Sequence, residues 1–157
     1  MNPSQDVTAL LDAGRLAELR RRYDDDTMRE LLAQPLRVTY PPCEPWLDWI
    51  SQHLYNRERF RPEYRELILI TVLGSNPHGG GRLLAIHLYV GLMVGLSPSE
   101  ITDALLLVGV YTGIPSFTFG VHATLTRTLT VLRQAVDEGG EALAMPQVLK
   151  RIAEAFM

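Results

Sequence analysis

Residues 82–112, RLLAIHLYVGLMVGLSPSEITDALLLVGVYT, decide the fold. From Arg82 to Val94 the apolar residues recur at helical spacing, and Gly95 offers a left-handed stop. Ser97-Pro98-Ser99-Glu100 then reads as a capping box with proline at the first helical position, opening a second helix that runs to about Thr112. Working outward, Gly74 to Gly81 is a loop by every breaker rule, and Pro62 opens a helix over Glu63 to Leu73. Downstream, Gly113-Ile114-Pro115 breaks the chain before a helix from Pro115 to Val136, and a last helix covers Pro146 to Ala155. At the other end, Val7 to Tyr23 sets Leu10, Leu11, Leu16 and Leu19 among charges as one amphipathic helix. A short helix over Met28 to Ala33 follows. Gln34 to Pro45, with four prolines, is expected as an extended loop, and Trp46 to about Asn56 as a further helix. Strand signals are nearly absent. The expected class is all-α.

Composition narrows the possibilities further. The 157 residues are 46% hydrophobic and 21% charged, with a net charge of −3, and the mean hydropathy is +0.02. That apolar content excludes disorder, and the length fits one domain burying roughly 70% of its extended surface. A pI near 5.8 speaks against a nucleic-acid partner. One cysteine, Cys43, forbids an internal disulfide and any site of paired thiolates. The polar start, Met1 to Asp6, carries no secretory signal, so a cytoplasmic location is expected.

The charges are unevenly spread. Residues 1–66 hold 22 of the 33, residues 127–157 hold eight, and the 60 residues between hold only Arg82, Glu100 and Asp103. Such a centre must be covered by the charged ends, by other subunits or by lipid. The uncharged run Ala104 to Thr126 has the length of a membrane span, but the Gly113–Pro115 break splits it. Buried helices at a subunit interface are the better reading, and a homo-oligomer is expected.

Of four histidines, His53, His78, His87 and His122, none has a metal-ligand spacing, so no metal is expected. His87 lies in the apolar stripe of its helix with Leu83, Leu84, Val90, Gly91 and Val94. A buried imidazole suits general acid–base work, although a core histidine bonded to a carbonyl is the simpler reading of the stripe alone. Glu66 opens the uncharged stretch Leu67 to Gly81. It is either a surface ion pair with Arg65 or Arg61 or a buried carboxylate. A Glu–His pair from neighbouring helices would make a proton relay. The glycines before Arg82 lack the Gly-Lys-Ser/Thr ending of a phosphate loop, leaving at most a substrate carboxylate docking beside Arg82. Phe117 and Phe119 are candidate pocket walls, and Cys43 has no activating neighbour in sequence.

The order Arg65-Glu66-Leu67-Ile68, His87, Gly95-Leu96-Ser97-Pro98-Ser99-Glu100-Ile101 and Tyr111-Thr112-Gly113-Ile114-Pro115 resembles the carboxymuconolactone decarboxylase and alkyl hydroperoxidase D-like family over about residues 61–125. The resemblance implies an all-helical oligomeric bundle, a homotrimer or homohexamer, with its active site between helices near a subunit boundary. It implies a core over residues 61–157 preceded by an N-terminal extension over residues 1–60. His87 matches the histidine before the family's Gly-x-Ser turn and Glu66 its glutamate, which turns the reading of both toward catalysis. Gly80 and Leu83 stand where the peroxidase branch carries its Cys-x-x-Cys pair, so thiol-based peroxide reduction has no agent here. What remains is a cofactor-independent lyase or isomerase acting on a small carboxylated or lactone/keto metabolite. His87 and Glu66 are its catalytic residues, and Tyr111, His122, Arg82 and Phe117 its substrate contacts. A non-catalytic oligomeric binding protein of the same fold and a vestigial, thiol-independent antioxidant protein are the alternatives.

Overall fold

The Ser97 hydroxyl accepts from the Glu100 backbone N–H at 3.2 Å, and the Glu100 carboxylate accepts from the Ser97 N–H at 2.8 Å. Both halves of the capping box are therefore formed. These bonds hold the Glu100 carboxyl below its usual range. Its charged form belongs to the folded state, so the cap is complete above the ordinary glutamate range and is lost as pH falls through its own lower value. Gly95 takes φ +131°, and the Leu96 N–H reaches back to the Gly91 carbonyl at 3.0 Å. This six-residue return closes the preceding helix where the sequence placed its stop.

A computed structural model of the chain describes residues 7–39, 41–50, 52–53, 61–76, 81–113 and 117–157. The Ile114-Pro115 break, the centre of the glycine loop, the end of the Trp46 helix and the boundary at residue 60 lie outside these residues, as does the Phe119 side chain. Among the described residues there are eight α-helices and no strand. They are α1 (Ala13–Arg21), α2 (Asp25–Thr39), α3 (Glu44–Ile50), α4 (Pro62–Ser75), α5 (Gly81–Val94), α6 (Pro98–Thr112), α7 (His122–Glu138) and α8 (Met145–Ala155). No helix among them is long and apolar enough to cross a membrane.

Two expectations are corrected. The single helix over Val7 to Tyr23 is a 3₁₀ turn, Val7–Leu10, followed by α1, because the Asp12 carboxylate caps the Arg15 N–H at 2.9 Å and restarts the chain there. The extended loop over Gln34 to Pro45 is largely helical, since α2 runs through Pro35 to Thr39 and α3 begins at Glu44. Arg37 spans the proline, meeting Glu30 at 2.7 Å two turns back and Glu44 at 3.0 Å ahead. Met28 is fully buried on the same helix.

α5 is the axis of the fold. It packs against α4, α1, α7 and α8, and Leu84, Ala85, Leu88, Tyr89, Leu92 and Met93 are buried along it. Each large side chain so buried contributes about 1.5–3 kcal/mol of transfer free energy. Leu16 and Leu19 of α1, Leu125, Leu129 and Leu132 of α7, and Val148 and Ile152 of α8 close the core around it. Arg20 of α1 donates to the Leu92 and Leu96 carbonyls at 2.8 and 3.1 Å, satisfying acceptors that the end of α5 leaves open. A helix wrapped on so many sides has little room for charge, which accounts for the α5 part of the uncharged centre. α4 and α6 pack on each other beside it.

Candidate functional site

The inward face of α4 carries Glu66, Ile70 and Gly74 at four-residue steps, all buried. Gly91 on α5 is what lets that face come close. A Cβ there would stand 2.9 Å from the Ile70 Cδ1 and 3.6 Å from the Glu66 Cβ. The close approach sets Glu66 directly against α5, and His87, one turn before Gly91, meets it. His87 Nδ1 lies 2.9 Å from the Glu66 Oε2. The other oxygen, Oε1, accepts from the Arg65 Nε at 3.0 Å.

The Glu66 side chain is 1% exposed, Arg65 9% and His87 13%. A carboxylate removed from water this completely needs partners, and the guanidinium and imidazole supply them. An ionised carboxylate can only accept, so Nδ1 carries the proton and donates it toward Glu66. Nε2 is then the free lone pair of the neutral ring, with the tautomer set by the buried acid behind it. The ring's residual exposure leaves an edge reachable from outside, beside Leu83, half-exposed one turn earlier. The arrangement can take a proton at Nε2, hold the resulting imidazolium against Glu66, and return it.

Two tyrosines flank this centre. Tyr89 is buried on α5, and Tyr23, just past α1, meets it edge-on with ring centroids 6.2 Å apart. The Tyr23 hydroxyl donates to the Asp25 carboxylate at 2.8 Å. Burial, then Asp25, then the Glu66 charge raise Tyr23, and burial raises Tyr89, so both phenols stay protonated. Neither tyrosine nor Arg20 was a sequence candidate. The pairing of Tyr23 with Tyr89 joins chain segments 66 residues apart, and no local pattern announces it. Arg65 was legible only as one alternative partner of Glu66 at the surface. The structure forms that ion pair but buries it.

The remaining candidates are placed elsewhere. Arg82 is exposed five residues before His87, which puts the two on different faces of α5. Tyr111 is 84% exposed on the outer face of α6, with no hydrogen-bond or ring partner among the described residues. Phe117 and His122 do meet, their rings tilted at 5.9 Å, across the π-helical turn Phe117–Val121 that leads into α7. That corner is anchored through Val121, which faces Gly74 of α4. Gly74 lies eight residues beyond Glu66, about 12 Å of helix rise. Phe117 itself is seated on Gly109 of α6, where an added Cβ would stand 2.7 Å from the Phe117 Cβ and 2.8 Å from its ring. Gly109→Ala is expected to cost about 1–2 kcal/mol net of its gain in helix propensity, because the atoms it strikes are the root of a side chain and not a mobile tip. Urea denaturation checks this: a variant as stable as the parent would show that the Phe117 turn gives way freely.

A recess of about 250 Å³ is lined by Gly120, Ala123, Thr124, Arg127 and Phe156. It offers no acid–base pair. The Arg127 guanidinium donates to the Ala155 carbonyl at 2.9 Å and lies over the Phe156 ring. No three His, Cys, Asp or Glu side chains among the described residues converge as metal ligands. The acid–base geometry of this chain is concentrated at Arg65, Glu66 and His87. No family model matches the chain, and no curated protein or solved structure does.

Proposed function

We propose that this chain is a cofactor-independent enzyme of the carboxymuconolactone decarboxylase-like type, a lyase or isomerase working in the cytoplasm as a homotrimer or homohexamer. One observation carries the catalytic part: a carboxylate 1% exposed, bonded at 2.9 Å to a histidine whose opposite nitrogen is free. The substrate class is a small carboxylated or lactone/keto metabolite. In a decarboxylation, the electrons of the breaking C–C bond pass into the adjacent carbonyl and CO₂ leaves. Nε2 of His87 takes up a proton from water, and the resulting imidazolium delivers it to the enolate carbon. In an isomerisation the same Nε2 removes a proton at one carbon and returns it at another. Glu66 balances the imidazolium in both cases, and Arg65 keeps Glu66 from turning away.

The purified protein should consume a 3-oxo acid or an unsaturated lactone from a small panel with no added cofactor, followed by proton NMR and CO₂ release. Folded protein that binds these acids and leaves all of them unchanged would instead make it a binding protein.

A further inference from the structure

The outer faces of α4 and α6 present a second feature that the catalytic reading does not use. Ile68 and Val72 of α4 are 48% and 60% exposed, and Leu106, Leu107, Val110 and Tyr111 of α6 are 47%, 59%, 64% and 84% exposed. The two helices pack against each other, with half-exposed Tyr64 one turn before Ile68 and exposed Asp103 one turn before Leu107 bordering the six side chains. No charged residue occurs in α4 after Glu66 or in α6 after Asp103. Polar relief is also sparse, because the hydroxyls of Thr71, Ser75 and Thr112 are turned back onto carbonyls of their own helices.

We infer that this face binds the same face of a second copy of the chain, in an isologous contact about a two-fold axis. The inference rests on the self-association proposed above, names where it occurs and selects the homohexamer over the homotrimer, since a trimer contains no two-fold contact. It stands independently of the catalytic residues. Three observations favour a second copy. Six large apolar side chains, each about half or more exposed, make a patch of the kind that monomers rarely leave bare beyond a few hundred Å². Beyond Asp103 at its edge the face carries no charge, so it offers little to steer an acidic, basic or nucleic-acid partner, while it matches an identical apolar face. An apolar patch that pairs with itself across a two-fold axis covers both copies at that contact, and other surfaces are free to complete the hexamer. A lipid surface is the less favoured occupant, because no basic side chain lies on this face and the chain is net negative.

The test is light scattering coupled to size exclusion on the full chain at micromolar concentration, with Leu107→Glu/Val110→Glu beside the parent. Both positions are exposed on a helix, and unchanged circular dichroism will show that the variant folds. The parent should contain an even number of copies, and the variant half that number. A monomeric parent, whether or not it binds phosphatidylcholine vesicles, overturns both this face and the proposed self-association. An assembled parent whose variant keeps the same copy number overturns the face alone. Trp46→Ala/Trp49→Ala serves as a control, since α3 carries two exposed tryptophans away from this face. If that variant dissociates while the glutamate variant does not, the contact lies on α3 and this inference fails.

Discussion

His87→Ala will leave the helices in place and lower turnover of the substrate found by the panel by about 10²–10⁴-fold, the usual contribution of one positioned acid–base group. The fold should tolerate it because the ring is 13% exposed, not enclosed, and alanine is a better helix former than histidine. Glu66 keeps Arg65 as a partner when the imidazole is gone. Glu66→Gln should act more gently on the rate, since the amide can still accept from Nδ1 but no longer balances an imidazolium. Steady-state kinetics on both variants, with circular dichroism as the control for folding, will read this out. A folded His87→Ala protein with an unchanged rate would remove the histidine from the mechanism.

Removing Arg65 tests the same centre through stability. Arg65→Met should destabilise the protein by about 3–5 kcal/mol, because it strips one partner from a carboxylate that has no water to turn to. For a chain of this size that is roughly a 10 °C fall in Tm. The paired variant Arg65→Met/Glu66→Leu removes both charges and should recover much of the loss, while lacking activity altogether. Urea denaturation of the two variants separates the effects. An Arg65→Met protein within about 0.5 kcal/mol of the parent would mean that water reaches Glu66 and that the pair behaves as a surface one.

The parts of the fold that were legible are those written in a few neighbouring residues. Ser97, Pro98 and Glu100 specify a helix start by bonds that close within one turn, and Gly95 specifies a stop by a backbone angle that other residues avoid. The all-helical class follows from such signals repeated along the chain. Proline misled the reading of α2. The rule that it ends helices assumes an isolated segment, whereas Arg37 and its two acids hold the helix on both sides of Pro35. At the site, Glu66 and His87 drew notice as a lone acid and a lone imidazole on apolar helices. Their 2.9 Å contact depends on how near α4 can come to α5, and Gly91 decides that. Gly91 stood in the apolar stripe of its helix with nothing to say which helix would come close to it. Arg20 and Tyr23 were illegible because their partners lie 72 and 66 residues away.

The Arg20 clamp also bears on the order in which the chain can fold during synthesis. α1 emerges before the helices it packs on, but a nine-residue helix is marginal in water by itself. Its Leu16 and Leu19 have nothing to cover until α5 has been made, and Arg20 has no carbonyls to grip until Leu96 has left the ribosome. Arg15 waits longer still, since its partner Asp137 lies 122 residues on. α1 thus settles only after the helices it packs on have been made.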